Sequence, residues 1–172
     1  MRLKGINKLN KNITAMVNEY ICEDITCKFN TCFAMAEDRL YYSLFVDEDM
    51  DRDWQAWLRD TYGDRYSDDF STFVLTFLHE VGHYFTEDDF DDDVEKKQAL
   101  VIDADLDDEE TAVSKRRAYW ELPVEKAATD WAIDFYNDNK EQMKNFYKDV
   151  MAFISNFYNK NEVDYYEDEE EE

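Results

Sequence analysis

This sequence of 172 residues is poor in several residue types, and each shortage narrows what the protein can be. It contains two histidines, one proline and three cysteines. An odd cysteine count without a secretion signal is typical of a reducing compartment, so we expect a cytoplasmic protein. Residues 1–11 are polar and basic and lack the apolar segment of a signal peptide. No stretch approaches the roughly 20 apolar residues of a membrane span, so we expect no membrane association.

Basic residues are also scarce. Lys and Arg total 19 against 43 Asp and Glu, which gives a formal net charge of -24. A field of this sign repels nucleic-acid phosphates, so we expect no direct nucleic-acid binding, and it favours partners with basic character. A solvated acidic surface without any partner explains the charge equally well.

The acidic residues concentrate in two places, which suggests how the chain is organised. One is an insert at about residues 87–110, and the other is a tail, residues 161–172, for which we predict disorder. The 12 Phe, 12 Tyr and 4 Trp can supply a sizeable core. We therefore predict a single domain over residues 1–160.

Both histidines lie in one short pattern, H-E-x-x-H, formed by His79, Glu80 and His83. On a helix the two imidazoles share one face and can reach a single Zn²⁺. The opposite side of that helix carries an apolar stripe, formed by Phe70, Val74, Phe77, Val81 and Phe85. Glu80 falls between the two faces, where a general base beside an activated water would stand. The alternative is that the histidines are ordinary polar residues on the wet side of an amphipathic helix.

A catalytic zinc site needs a third protein ligand and an open fourth position. Since no histidine remains, we expect a carboxylate. Glu125 is the best placed, because it shares a helix face with the small residues Ala128 and Ala132, which would allow close packing against the histidine helix. Glu121 and the acids of the insert remain alternatives, and Glu125 could instead be a first-turn glutamate stabilised by the helix dipole.

Hydrophobic periodicity predicts an α+β fold in which a small antiparallel β-sheet packs on a mainly helical domain. The last strand would offer an exposed edge to an extended peptide. The zinc-motif helix would be capped by Ser67 or Asp68 and run to Thr86, and a later helix would begin at Leu122 or Pro123. The other predicted elements are helices over residues 6–21, 51–62 and 141–158 and strands over residues 25–29, 31–36 and 40–46.

Two motifs together carry a family resemblance: H-E-x-G-H at His79, Glu80, Gly82 and His83, and E-x-x-A-x-x-W-A at Glu125, Ala128, Trp131 and Ala132. Over about residues 25–137 the chain resembles the ImmA/IrrE family of intracellular metallopeptidases, a gluzincin-like group found in bacteria, phages and mobile elements. The resemblance implies a zincin-like domain with one Zn²⁺ per chain, ligands His79, His83 and Glu125, and Glu80 as catalytic base. Some members cleave helix-turn-helix repressors. Thr129 stands where related proteins often have Asp or Asn, and its hydroxyl could orient an imidazole.

From these patterns we expect a zinc-dependent endopeptidase acting on an intracellular protein or peptide with basic character, such as a helix-turn-helix repressor or another regulatory protein. Tyr84, Tyr119 and Tyr136 are candidates for stabilising the oxyanion, and twelve tyrosines give no means of choosing among them. Two alternatives stay open. One is a non-enzymatic acidic binding protein, such as a DNA mimic or an inhibitor. The other is a catalytically silent zinc module.

Overall fold

The computed structural model describes residues 5–44, 48–86, 94–103 and 105–160. The predicted acidic tail, part of the acidic insert and the end of the predicted third strand lie outside these described residues. The α+β class is confirmed, since helices dominate and a small sheet accompanies them. In chain order the elements are α1 (Ile6–Tyr20), β1 (Thr26–Phe29), β2 (Ala34–Ala36), β3 (Arg39–Tyr42), α2 (Glu48–Tyr62), a 3₁₀ turn (Gly63–Arg65), α3 (Thr72–Thr86), α4 (Val94–Ala99), α5 (Glu109–Trp120), α6 (Pro123–Asp138) and α7 (Lys140–Lys160).

The sheet is mixed, so the predicted all-antiparallel arrangement is wrong. β3 lies in the centre, with β2 antiparallel on one side and β1 parallel on the other. A tight turn, in which Glu37 has a φ of 55°, closes β2 and β3 into a hairpin. The amide of Thr26 donates to the carbonyl of Asp38 at the foot of this hairpin, which places β1 alongside β3.

The expected peptide-accepting edge is also misplaced, because β3 is paired on both sides. Nor is the outer edge of β1 free. There the amide of Cys27 donates to the hydroxyl of Thr14, and the amide of Phe29 donates to the side-chain oxygen of Asn10. Since α1 satisfies these donors, β2 is the edge of the described sheet that remains uncovered by α1.

Helix α3 runs through the core and is held mainly by its apolar side. Phe77 is fully buried between Tyr42 of the sheet and Phe146 of α7, at ring-centroid distances of 6.1 and 5.6 Å. Burying a side chain of this size contributes about 1.5–3 kcal/mol. The predicted stripe is confirmed except at Phe85, which is 50% exposed and stacks on Trp131 at 5.0 Å. The opposite side of α3 is thereby directed towards α6.

The start of α3 differs from the prediction, which placed the cap at Ser67 or Asp68. The helix begins at Thr72, and the hydroxyl of Ser71 accepts from the amide three residues later at 3.4 Å. Ser67 closes a separate turn, in which its carbonyl accepts from the amide of Phe70 at 2.9 Å. Both segments contain suitable cap residues, and between them lies the buried ring of Phe70, which stacks on Tyr136 at 4.1 Å.

Helix α5 is tied to α2 and leads directly into α6. The buried carboxylate of Asp53 accepts from Arg116 at 2.9 Å, and the indole of Trp57 donates to Glu121 at 2.8 Å. Pro123 then occupies the first turn of α6, as predicted, where its missing N–H costs nothing. None of the described helices is both long enough and apolar enough to cross a membrane.

Candidate metal centre

The candidate site forms where α3 and α6 approach each other most closely. Gly82 lies against α6 so tightly that a Cβ at this position would be 2.4 Å from the carbonyl oxygen of Ala128. This confirms the predicted role of small residues on the facing side of α6. The buried residues of α6 are Val124, Glu125, Ala128, Thr129, Ala132, Ile133 and Tyr136. The close approach brings the first turn of α6 within reach of both histidines.

His79, His83 and Glu125 meet in a nearly equilateral triangle of ligand atoms. The Nε2 atoms of His79 and His83 are 3.2 Å apart, and Glu125 Oε2 lies 3.2 Å from the first and 3.3 Å from the second. The side chains are 12%, 14% and 2% exposed, respectively. Within the described ranges this is the group of histidine and carboxylate side chains that could hold a metal ion. The alternative ligand Glu121 accepts the Trp57 indole N–H instead.

Thr129 determines which nitrogen of His79 faces the other ligands. Its hydroxyl donates to the backbone carbonyl of Glu125 at 2.9 Å, and its oxygen lies 3.0 Å from Nδ1 of His79. Because the hydroxyl proton is donated to that carbonyl, the hydroxyl oxygen must accept from Nδ1–H of His79. The hydrogen-bond network thus assigns the tautomer of His79 with its proton on Nδ1. In the neutral ring Nε2 of His79 then carries the lone pair, so this nitrogen, which faces the other two ligands, can bind a metal.

The charges at the site are strongly coupled. Burial would raise the pKa of Glu125, but hydrogen bonds and charge interactions with His79 and His83 outweigh it and hold that pKa far below its usual range. Burial lowers the pKa of His83, yet the hydrogen bond and charge of Glu125 more than offset this and raise it above the ordinary value. A metal ion that binds Nε2 of His83 must compete with the proton that this raised pKa favours, so its binding should depend on pH.

Glu80 is buried beside this group. Burial raises its pKa, against the opposing influence of His79 and His83. A carboxylate with a raised pKa suits a general base, because the group must both take up and release a proton near neutral pH. Glu80, for which the sequence predicts the role of catalytic base, thus lies beside the candidate ligands.

The three tyrosines named from the sequence are placed differently. Tyr136 is buried at the far end of α6, where its ring stacks on Phe70 at 4.1 Å and its hydroxyl accepts from the amide of Ser71 at 3.2 Å. Ser71 precedes His79 by eight residues, or about 12 Å of helix, so the structure does not bring Tyr136 to the site. Tyr84 is exposed on α3, and Tyr119 is half-buried against the core on α5.

Two neighbours of the site were not identified from the sequence. Lys97 of α4 places its Nζ 3.2 Å from Oε1 of Glu125, and the ring of Trp54 lies edge-on to His79 with centroids 6.1 Å apart. Trp54 belongs to a helix that the periodicity predicts, but nothing in its pattern indicates contact with a histidine. Lys97 is a basic residue in an acidic insert, and this contrast in charge is the only feature of the sequence that could have indicated a role at the site.

Comparison with protein-family models, with curated proteins and with solved structures found no match to this chain. The resemblance to ImmA/IrrE metallopeptidases therefore stays a prediction that rests on the residues of the two motifs.

Proposed function

We propose that this protein is a zinc-dependent endopeptidase that hydrolyses a peptide bond in a protein substrate. The observation that supports the proposal is the convergence of His79, His83 and Glu125 on one point beside the buried Glu80. Two imidazoles and one carboxylate are a ligand set of catalytic zinc sites, in which the fourth position is left for water or substrate.

The distances within the triangle fit a tetrahedral zinc ion. Ligand atoms about 2.0 Å from such an ion are separated from one another by about 3.3 Å. The three edges here measure 3.2, 3.2 and 3.3 Å. The tautomer that Thr129 imposes on His79 supports the same interpretation, since a proton on Nε2 would prevent that nitrogen from binding a metal.

The proposed mechanism assigns each proton to a residue. A zinc ion in this site would supply Lewis acidity, which makes water a stronger acid and a peptide carbonyl a better electrophile. Glu80 takes a proton from water as the water oxygen bonds to the carbonyl carbon. It then delivers that proton to the amide nitrogen as the C–N bond breaks, leaving a carboxyl group and an amine. Thr129 meanwhile keeps His79 in its ligating tautomer.

The substrate class is proposed from charge and from the resemblance. A net charge of -24 favours encounter with a basic protein segment. Helix-turn-helix repressors have such segments because they bind nucleic acid, and some members of the resembled family cleave them. An intracellular DNA-binding regulator is therefore the proposed substrate.

The same charge favours a second candidate function, a non-enzymatic acidic protein that occupies a basic nucleic-acid site or inhibits its owner. Such a protein has no use for the arrangement of His79, His83 and Glu125. A catalytically silent zinc module would use it but would show no turnover.

Metal content and cleavage separate these candidates. Elemental mass spectrometry of the purified, untagged protein is expected to give about one zinc per chain, lost in His79→Ala and Glu125→Gln. Glu121→Gln, which alters a neighbouring exposed glutamate, should retain the metal and serves as the matched control. Glu80→Gln should keep the zinc and lose cleavage of a basic repressor by about 10²-fold or more.

Each alternative has its own result. A folded wild-type protein that binds no zinc even after reconstitution contradicts the proposal and favours the acidic binder. Stoichiometric zinc without cleavage of any basic DNA-binding protein tested favours the silent module.

A further inference from the structure

The two carboxylate oxygens of Glu125 have different partners. Oε2 faces Nε2 of both histidines, at 3.2 and 3.3 Å. Oε1 faces away from them and lies 3.2 Å from Nζ of Lys97. The Glu125 side chain is 2% exposed and that of Lys97 is 28% exposed, so this ion pair is largely shielded from solvent. A shielded, charge-assisted contact of this kind fixes geometry more firmly than an exposed pair.

The different partners of the two oxygens matter because a carboxylate can bind a metal through one oxygen or through both. Binding through Oε2 alone, with two imidazoles and one water, gives four-coordination. Binding through both oxygens would add a fifth ligand and crowd the position that water and substrate must use. An ammonium group on Oε1 occupies the lone pairs that such binding needs.

We propose that Lys97 is a positioning residue that restricts Glu125 to one-oxygen coordination of the metal and so keeps the fourth position open. The inference rests on the proposed metal site. Lys97 belongs to α4, the short helix Val94–Ala99 within the acidic insert, so this part of the insert forms one side of the metal centre.

The coordination number can be measured without any substrate by replacing zinc with cobalt(II), whose visible absorption is strong in four-coordinate sites and weaker in five-coordinate ones. Wild-type protein with one cobalt per chain is expected to give the strong spectrum. Lys97→Met should give a weaker spectrum, as Oε1 of Glu125 joins the metal. Lys97→Arg should keep the strong spectrum, because it retains a cationic donor.

Lys96→Met is the matched control, since it removes the same charge from the adjacent, exposed position on α4. It should leave the spectrum as in wild type. X-ray absorption of the zinc-loaded proteins provides an independent count, with four neighbours expected in wild type and five in Lys97→Met.

The possible failures are distinguishable. Wild-type protein that binds neither cobalt nor zinc contradicts the proposed function itself. If the wild-type protein binds the metal, two results overturn the role of Lys97 alone. The first is a wild-type spectrum that is already five-coordinate. The second is a Lys97→Met protein whose spectrum and neighbour count equal those of wild type. A spectral change of equal size in Lys96→Met also overturns it, since the effect would then come from charge alone.

Discussion

At the scale of single residues, the site depends on a hydroxyl whose proton is already in use. Thr129 can accept from His79 because it donates to the carbonyl of Glu125, four residues earlier on α6. A hydroxyl with a free rotor could equally donate to an unprotonated Nδ1 and would leave the tautomer undefined. The backbone of α6 thus helps to specify the state of a side chain on α3.

Thr129→Val tests this link, because it keeps the branched shape and removes the oxygen. We expect the affinity for zinc to fall about 10–100-fold, since Nδ1–H of His79 loses its acceptor and the ring loses its fixed orientation. Competition with a chromophoric chelator measures the change. Thr129→Ser, which keeps the hydroxyl, should bind zinc nearly as well as wild type. Equal affinity in Thr129→Val would show that packing alone orients the ring.

Single residues also show what the sequence can and cannot predict. The shared face of His79 and His83 follows from helical geometry, and Glu125 was expected from the lack of further histidines and from its position beside small residues. Lys97 could not be predicted in this way. Its distance to Glu125 depends on where α4 lies relative to α6, and no local sequence pattern predicts that placement.

At the scale of elements, the site is a property of the α3–α6 pair. The two helices approach at Gly82 and Ala128, within one turn of the ligands, so the separation of the helices there sets the separation of Glu125 from the histidines. Glycine lowers helix stability by about 1 kcal/mol relative to alanine. That local cost is offset by the packing that the missing side chain permits.

Gly82→Ala should therefore destabilise the protein although alanine is the better helix former. A Cβ at this position would lie 2.4 Å from a backbone oxygen, which cannot move unless the helices separate. We expect a lower melting temperature together with weaker zinc binding. Gly63→Ala is the control: Gly63 has a φ of +50° with open space around it, so alanine there should cost about 1–2 kcal/mol and leave zinc affinity unchanged. A Gly82→Ala protein as stable as wild type would contradict this account.

The sheet shows the limit of prediction at the same scale. Short apolar and aromatic runs located all three strands approximately, yet such runs contain no information on which strands are neighbours. The order β1-β3-β2 arises because a tight hairpin pairs β2 with β3 and because side chains of α1 accept the outer amides of β1. The hairpin is a local feature, but the contacts of β1 with α1 join residues 13 and 19 positions apart, and local periodicity does not predict such contacts.

At the scale of the whole molecule, charge opposes folding. A net charge of -24 on 172 residues creates repulsion that the compact state concentrates. Favourable pairs exist, such as Arg65 with Asp130 and Asp134 at 3.2 and 2.7 Å, but their side chains are 41–64% exposed. Exposed pairs of this kind contribute little, so they do not compensate for a large excess of one sign.

Salt should consequently stabilise this protein. Raising sodium chloride from about 10 mM to about 150 mM shortens the Debye length from about 30 Å to about 8 Å, which screens long-range repulsion more than it weakens ion pairs in direct contact. We expect the melting temperature to rise over this range at pH 7 and constant zinc, and potassium chloride should act equally if screening is the cause. A falling melting temperature would mean that attractive ion pairs on the acidic surface contribute more to stability than the repulsion removes.

Association with a basic substrate should respond in the opposite direction, since the same screening weakens attraction between the two proteins. Stability and substrate encounter are thus expected to favour different ionic strengths.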